Sequence, residues 1–133
     1  MFKAPKFRNK KIKVNDLTFD SKKEFERYLF LKKAEENGEI TNLQRQVRFE
    51  LIPAIKTTET TQLKTKSKVV EKVVQKATYY FCDFQYEKDG EIITEDVKIS
   101  PKMLPKDYRL KEKLMLWRYN IKIKRVYKPN EKL

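Results

Sequence analysis

Two acidic side chains occupy positions where a strand would normally place apolar residues. Asp83 interrupts the aromatic run 79–86 (YYFCDFQY), and Asp96 opens the triplet Asp96-Val97-Lys98 in the next β-prone run. A carboxylate inside an apolar strand is unfavourable unless it is paired or holds a cation. Carboxylates beside a lysine can hold a hard divalent metal and stabilise charge on a phosphoryl group. The pattern therefore indicates metal-assisted hydrolysis of a phosphodiester bond.

A β-hairpin is the element that would bring these acids together. The Asp89-Gly90 pair separates the two β-prone runs, and such a pair is a strong signal for a tight turn between antiparallel strands. Side chains alternate along a strand, so Asp96 and Lys98 share one face. Two ordinary alternatives stay open. In the first, Asp83 is a solvent-facing aspartate of an edge strand. In the second, Asp96 and Lys98 form a surface ion pair of little energetic value.

Glu24 is the third acid that could join the site. In one interpretation, Ser21 and Glu24 form a capping box, in which the serine binds the amide of residue 24 and the glutamate reaches back to the helix start. In the other, Glu24 lies on the inward edge of the helix near Tyr28, points at the sheet and completes a metal site. These interpretations are alternatives, and the sequence leaves both open.

The composition limits the chemistry further. The 133 residues suit one domain, carry a net charge of +13, and include one cysteine and no histidine. A positive surplus of this size predicts a polyanionic partner, and no apolar run is long enough for a membrane span, so we expect nucleic acid and no membrane. No hydrophobic segment follows the basic N-terminus, so we expect no signal peptide and a cytoplasmic protein. The lack of histidine excludes Ser-His and Cys-His mechanisms and leaves carboxylates, lysine and Mg²⁺.

The predicted elements form a single α/β domain over residues 1–133. A basic arm over 1–13 includes Lys10 and Lys11, which we expect to contact DNA phosphates unless the arm is only a solvated tail. Residues 54–76 are basic and stay open between a polar loop, an extended hairpin and a short helix. The remaining elements are a helix over 20–37, a strand over 42–53, a hairpin over 77–99, a helix over 105–119 and a short strand over 121–126.

The apolar spacing of the two helices predicts which of their sides face the core. Phe25, Tyr28, Leu29 and Lys32 follow helical spacing in the first helix, and Leu110, Leu114 and Trp117 do so in the second. Together the elements predict a small mixed sheet flanked by helices, in the order αβββαβ.

The motifs resemble those of the PD-(D/E)XK nuclease superfamily, and in particular those of a group of small phage and prophage proteins. Residues 19–24 read FDSKKE, residues 80–86 read YFCDFQY and residues 95–98 read EDVK, which match that group's helix start and two strand motifs. Two departures stand out. Cys82 replaces the proline that gives the superfamily its name, and Ile99 stands where relatives often have glycine.

This resemblance implies a restriction-endonuclease-like αβββαβ core and a Mg²⁺-dependent nuclease in which Mn²⁺ can substitute. It implies catalytic roles for Glu24, Asp83, Asp96 and Lys98. The implied metal ligands are Asp83, Asp96, Glu24 and the backbone carbonyl of Val97. It further relates Gln46 to a polar residue near the site in related nucleases, and Tyr108, Lys111 and Lys113 to a Y-x-x-K-x-K run that would bind DNA. The alternative for the two helix lysines is a solvated surface.

The function that the resemblance implies is a structure-selective endodeoxyribonuclease, of the kind that resolves Holliday junctions or other branched DNA in the cytoplasm of a phage's bacterial host. Symmetric cleavage of a junction needs two active sites, which implies a homodimer. A non-catalytic nucleic-acid-binding module explains the charge equally well, but it does not explain acids placed among basic residues. A nicking, restriction-like or repair nuclease of the same superfamily would carry the same site.

Overall fold

The structure is a computed structural model that describes residues 10–133, so Lys3, Lys6 and Arg8 of the predicted basic arm lie outside the described residues. Within this range the chain forms two helices and eight strands. In chain order they are β1 (Ile12–Val14), β2 (Leu17–Phe19), α1 (Lys22–Glu36), β3 (Thr41–Ile52), β4 (Ile55–Gln62), β5 (Ser67–Gln75), β6 (Thr78–Lys88), β7 (Glu91–Val97), α2 (Tyr108–Tyr119) and β8 (Lys124–Val126).

The central sheet has four strands in the order β3-β6-β7-β8. The first two pairings are antiparallel, and β7 pairs with β8 in parallel through the α2 crossover. The predicted mixed α/β fold and its αβββαβ order are therefore confirmed. The hairpin prediction is also confirmed, because Lys88 pairs with Glu91 around Asp89 (φ 51°) and Gly90 (φ 80°). Two positive φ values are what a two-residue turn with the twist of a β-hairpin requires.

Helix α1 begins and ends at the predicted signals. The Ser21 side chain accepts a hydrogen bond from the Glu24 amide at 3.1 Å. At the other end, Gly38 adopts φ +78°, and the Glu39 amide binds the Ala34 carbonyl at 2.9 Å.

The buried side of α1 differs from the predicted one. It consists of Glu24, Arg27, Leu31 and Ala34, while Leu29 is 51% exposed. Two charged residues thus occupy the side that faces the sheet, and they displace the apolar stripe that spacing alone predicts.

Strand β6 is central in the sheet, but only one of its two rows of side chains is buried. The buried row is Tyr80, Cys82, Phe84 and Tyr86, and it joins two clusters of apolar residues. Tyr80 and Cys82 pack with Met115 of α2, whereas Phe84 and Tyr86 pack with Leu31 of α1. The other row contains Asp83 together with the exposed aromatic residues Tyr79 and Phe81.

Residues 54–76 form the extended hairpin that the sequence left open among three possibilities. Strands β4 and β5 pair in an antiparallel two-stranded ribbon from Ile55↔Gln75 to Gln62↔Ser67. The two strands pair only with each other, and all of their residues are exposed. The ribbon therefore extends from the β3-β6 pair without adding to the core.

Helix α2 turns a different side to the core from the one predicted. Its buried residues are Tyr108 and Met115, while Leu110 is 58% exposed and Trp117 is 78% exposed. Leu114 packs at the edge of the core. The prediction for Leu110 and Trp117 is therefore wrong, because the helix is oriented by Tyr108 against the sheet. The final strand is shorter than predicted, and Ile121 and Ile123 pack against the core before β8 begins. No helix among residues 10–133 is long and apolar enough to cross a membrane.

Candidate active site

The candidate site lies where β6 and β7 separate. The last pair in the register between them is Phe84↔Glu95. Beyond it, hydrogen bonds from backbone amides to side chains replace the backbone hydrogen bonds between the two strands. The Asp83 amide donates to Asp96 Oδ1 at 3.0 Å, and the Val97 amide donates to Asp83 Oδ2 at 2.8 Å. The prediction that the hairpin brings Asp83 and Asp96 together is confirmed. The two acids hold the strands open and leave a cleft between them.

Asp96 is buried and oriented by its neighbours. Tyr80 donates its hydroxyl to Asp96 Oδ2 at 2.5 Å, and Lys98 Nζ lies 3.9 Å from the same oxygen. Asp96 and Lys98 therefore share a face, as the alternation of a strand predicts. Hydrogen bonds also fix the backbone of residues 98 and 99. The Lys98 amide binds the Val126 carbonyl at 2.8 Å, and Lys23 Nζ binds the carbonyls of residues 98 and 99 at 3.3 and 3.4 Å. Ile99 in place of glycine is thus accommodated.

Glu24 contacts both the helix start and residues near the cleft, the two placements that the sequence presented as alternatives. Its amide is capped by Ser21, but its carboxylate passes over the N-cap residue and accepts from the Asp20 amide at 3.3 Å. The other carboxylate oxygen accepts from the Gln46 side chain at 3.4 Å and lies 3.9 Å from the Arg45 guanidinium. The side chain is buried, so Glu24 reaches the site while it also stabilises the helix start.

Gln46 links Glu24 to the central acid. It lies in β3 opposite Asp83, and its amide nitrogen is 3.4 Å from both Glu24 Oε1 and Asp83 Oδ1. Its backbone has φ 51°, a conformation that costs a residue other than glycine about 1–3 kcal/mol and is concentrated at functional sites. Gln46 therefore places a partial positive charge between two carboxylates, which supports its assignment to the site.

Burial is the main cause that raises the pKa of all three carboxyl groups. Burial is the main cause of the raised pKa of Asp83, followed by repulsion from Asp96 and Glu24, and the pKa reaches about 8. Burial also raises the pKa of Asp96, against the lowering effects of the Tyr80 hydrogen bond and Lys98. The pKa of Glu24 is raised by burial and by Asp20. The cluster therefore has more negative charge than its protein neighbours compensate, as expected of a site that binds a cation.

The donor chemistry of this cluster suits Mg²⁺, which is commonly held by one or two carboxylates together with water and substrate phosphates. Among residues 10–133, no three aspartate, glutamate or cysteine side chains converge closely enough to ligate one ion. A direct ligand set would therefore rest on Asp83 and Asp96, with Glu24 acting through water. The Tyr108 hydroxyl is buried near Asp96 and makes no hydrogen bond of ordinary geometry with a described residue.

Helix α2 contributes Tyr108 and Lys111 to the cleft. Lys98 Nζ lies 3.9 Å from the centre of the Tyr108 ring, a cation–π contact that fixes the lysine between the ring and Asp96. Lys111 pairs with Asp107 at 3.4 Å on the rim. The cleft has a volume of about 220 Å³, and its lining includes Phe81, Asp83, Asp96, Lys98, Tyr108 and Lys111.

A basic groove of about 510 Å³ adjoins the cleft on the far side of Lys98. Lys10, Lys22 and Lys23 line it together with Lys98. Lys10 therefore lies beside the site as predicted. Lys11 is exposed and does not line this groove, and Lys113 lines a separate groove between α2 and β8. Of the six residues predicted to bind DNA, Gln46, Tyr108, Lys111 and Lys10 are thus brought to the site, while Lys11 and Lys113 are not.

A family model described as "Protein of unknown function (DUF1064)" matches residues 4–131. The chain belongs to the DUF1064 family. No curated protein and no solved structure matches it. Membership of DUF1064 assigns no activity, so the resemblance to PD-(D/E)XK nucleases stays a prediction.

This DUF1064 chain also contains a buried charge network that sequence reasoning missed. Arg27 binds both oxygens of Glu95, at 2.8 and 2.7 Å, and both side chains are fully buried. Tyr86 donates to Glu95, and Arg27 also binds the carbonyls of Pro129 and Glu131. The available signal was the position of Glu95 directly before Asp96, which places it on the opposite face of β7.

Proposed function

We propose that this DUF1064 protein is a metal-dependent endodeoxyribonuclease of the PD-(D/E)XK superfamily. One observation carries the proposal. In a chain with a net charge of +13, Asp83 and Asp96 line one cleft beside Lys98, and the Gln46 side chain links Glu24 to Asp83. A surface that only bound DNA would not gather acids at its basic face, because they repel phosphate unless a cation lies between. This arrangement supports a site that would bind a divalent metal and a phosphodiester.

In this proposal, Asp83 and Asp96 would hold Mg²⁺ or Mn²⁺, together with the Val97 carbonyl, and Glu24 would contribute through water. When bound, the ion supplies Lewis-acid stabilisation of the phosphoryl oxygens and lowers the pKa of a water molecule. Tyr80 fixes the orientation of Asp96 through its 2.5 Å hydrogen bond, and Gln46 orients Asp83 and Glu24.

Lys98 is the residue we assign to the attacking water and to the charge that develops on the phosphorus oxygens. The Tyr108 ring and Asp96 hold its ammonium group at the boundary between the acidic cleft and the basic groove. A fixed cation at this point stabilises a transition state more than a mobile one does, because it needs no reorganisation.

Branched DNA in a bacterial cytoplasm is the substrate we propose, as for a Holliday-junction resolvase. The basic groove beside Lys98 and the lysines of the β4-β5 ribbon would contact phosphates without reading sequence. A homodimer would provide the two sites that paired cuts need. The exposed side of α2, with Leu110 and Trp117, offers apolar area for a second copy. A nicking, restriction-like or repair nuclease would use the same site chemistry on other DNA.

A non-catalytic DNA-binding module is the competing function. The observation in its favour is that no three acidic or thiol side chains among residues 10–133 converge on one metal position. The two functions predict opposite effects of removing an acid. A pure binder should bind DNA more tightly after Asp83→Ala, whereas a nuclease should lose metal binding and cleavage.

The experiment is cleavage of a synthetic four-way junction, compared with linear duplex and single strand, in Mg²⁺ and in EDTA. We expect metal-dependent paired cuts on the junction that Asp83→Ala abolishes and that Glu91→Ala, at an exposed acid of the hairpin tip, leaves unchanged. Equal cleavage of all three substrates would keep the nuclease and reject the resolvase. Tight junction binding with no cleavage in Mg²⁺ or Mn²⁺ would establish the binding module.

A further inference from the structure

Phe81 is an exposed aromatic residue at the rim of the acidic cleft. It is 53% exposed and lies on the same row of β6 as Asp83, two residues away, with Tyr79 (36% exposed) next along that row. Phe81 and Asp83 line the same cleft. The core is built by the other row of β6, so packing does not account for an aromatic side chain at position 81.

Two cations lie beside this aromatic row. Arg48 of β3 is the strand partner of Phe81, and its guanidinium lies 4.7 Å from the centre of the Tyr79 ring. Lys111 lines the cleft on the side of α2. Exposed aromatic faces among cations are the arrangement that proteins use to bind unpaired nucleotides, because the rings stack on bases while the cations contact phosphates. A solvent-exposed aromatic in a purely structural role would have no need of these cations.

The spacing along β6 relates this aromatic to the proposed phosphate position. Residues two apart on one face of a strand are separated by about 6.5–7 Å, which is about twice the 3.4 Å rise between stacked bases. A base on Phe81 would therefore lie within one or two nucleotides of a phosphate at Asp83. A base inside a duplex has both faces covered by its neighbours, so Phe81 could contact a base face only after that base left the stack. Unstacking is least unfavourable where the nucleotide is already unpaired.

We propose that Phe81, supported by Tyr79, stacks on an unpaired nucleobase next to the phosphate held at Asp83, and thereby selects DNA with unpaired nucleotides at the site. The position of that phosphate rests on the proposed function. The stacking itself needs no cleavage, so it can be measured separately. Loops, branch points and flaps share this chemistry, and fully paired duplex lacks it.

The test uses two DNA duplexes, one with a single unpaired 2-aminopurine and one with the same base paired, in EDTA so that no metal-dependent cleavage occurs. Binding of the unmodified protein should quench the 2-aminopurine fluorescence in the bulged duplex and favour that duplex over the paired one. Phe81→Ala should remove the quenching and weaken bulge binding by about 5- to 150-fold, the range expected for one stacked base. Its affinity for the paired duplex should stay unchanged.

Two variants serve as controls. Phe81→Tyr keeps an aromatic face and should restore quenching, while Ile92→Ala removes an apolar side chain that is 61% exposed near the hairpin tip and should have no effect. Circular dichroism and thermal unfolding of Phe81→Ala should match the unmodified protein, because position 81 lies outside the core. Tyr79→Ala should weaken bulge binding less than Phe81→Ala, since the Tyr79 ring is partly covered by Arg48.

The stacking proposal is overturned if Phe81→Ala keeps the full preference for the bulge, if it loses affinity equally for both duplexes, or if the unmodified protein shows no preference. The nuclease proposal is judged by the junction experiment alone. Phe81-dependent quenching without cleavage in Mg²⁺ would leave the stacking proposal standing and reject the nuclease. Metal-dependent junction cleavage combined with any one of the three overturning binding results would reject the stacking proposal and leave the nuclease standing.

Discussion

Strand β7 carries two consecutive buried acids whose surroundings are opposite in kind. Glu95 faces α1, where the guanidinium of Arg27 binds both of its oxygens and Tyr86 donates a further hydrogen bond. Asp96 faces the cleft, where Tyr80 and the Asp83 amide donate to it and the nearest cation, Lys98, lies 3.9 Å away. Both positions are almost fully buried, so burial alone does not distinguish them.

The difference lies in charge compensation. The Glu95 network is closed, because a guanidinium matches the carboxylate and ties the C-terminal residues to α1 through Pro129 and Glu131. The Asp96 cluster is open, because among residues 10–133 its carboxylates have only distant cations, Lys98 for Asp96 and Arg45 for Glu24 at 3.9 Å each, and Asp83 has no ion pair. The pKa of each of the three carboxyl groups is raised. A closed network indicates a structural role, and an open one indicates a site for a ligand.

Removal of Arg27 should have the largest effect. Arg27→Met leaves Glu95 buried without its partner, and breaking a buried ion pair in this way costs about 3–5 kcal/mol in the free energy of unfolding. Urea unfolding measures the loss. The double variant Arg27→Met/Glu95→Leu should recover most of it, because no unpaired charge then remains. A double variant as unstable as the single one would show that the network acts through the C-terminal tail and not through charge pairing.

Two tyrosines provide a matched pair for the comparison. Tyr86 donates to Glu95 and Tyr80 donates to Asp96. Tyr86→Phe should lower the free energy of unfolding by about 1.5–3 kcal/mol, the value of a hydrogen bond to a charged group, and leave DNA cleavage unchanged. Tyr80→Phe should destabilise the metal-free protein less, since Asp96 can take up a proton, but should slow cleavage by misplacing the carboxylate. Urea unfolding measures the stability of both variants, and junction cleavage measures their rates. Equal slowing of cleavage in both variants would contradict the distinction between the two clusters.

Mg²⁺ should stabilise the open cluster specifically. At a free concentration ten times its dissociation constant, an ion that binds only the folded state adds about 1.4 kcal/mol to the free energy of unfolding. Thermal unfolding with and without Mg²⁺ should therefore show a higher Tm for the unmodified protein and for Glu91→Ala. Asp83→Asn should show no shift. A shift that survives Asp83→Asn would place the ion elsewhere on the chain.

A further expected effect is a pH dependence of the metal-free protein. Asp83 has a pKa of about 8 in the folded state against an ordinary value of 3.8, so between these pH values the folded state binds more protons than the unfolded state. The contribution of this group to stability therefore falls as pH rises from about 4 to 8. We expect Asp83→Asn to flatten this decline in urea unfolding at pH 5, 6, 7 and 8 in EDTA. An unchanged decline would assign it to another carboxyl group.

Local signals in the sequence predicted several elements correctly, because each signal acts through nearby backbone. Asp89-Gly90 supplies the two positive φ values of the β6-β7 turn, and Ser21 and Gly38 bound helix α1. The alternation of the strand similarly placed Asp96 and Lys98 on one face. These predictions needed only neighbours within a few residues.

Predictions that depended on distant partners did less well. Helical spacing assigned Leu29, Leu110 and Trp117 to the core, but all three are exposed. The reason is that each helix is oriented by a polar side chain with a partner outside the helix. Arg27 of α1 binds Glu95, and the Tyr108 ring of α2 packs against Lys98. Residues 54–76 could be assigned to a ribbon only when the register of β4 with β5 was known.

The sequence by itself determined the net charge, the αβββαβ order, the turn that joins β6 to β7, and the identity of the acids and lysine in the proposed site, since all of these follow from residue type and local spacing. Only the tertiary structure decided that Glu24 and Gln46 meet Asp83, that Glu95 is neutralised while Asp96 is not, and that Phe81 stands exposed beside the cleft. These outcomes depend on contacts between residues that are far apart in the chain. Glu24 and Gln46, for example, are separated by 22 residues. A local sequence pattern does not encode such pairings.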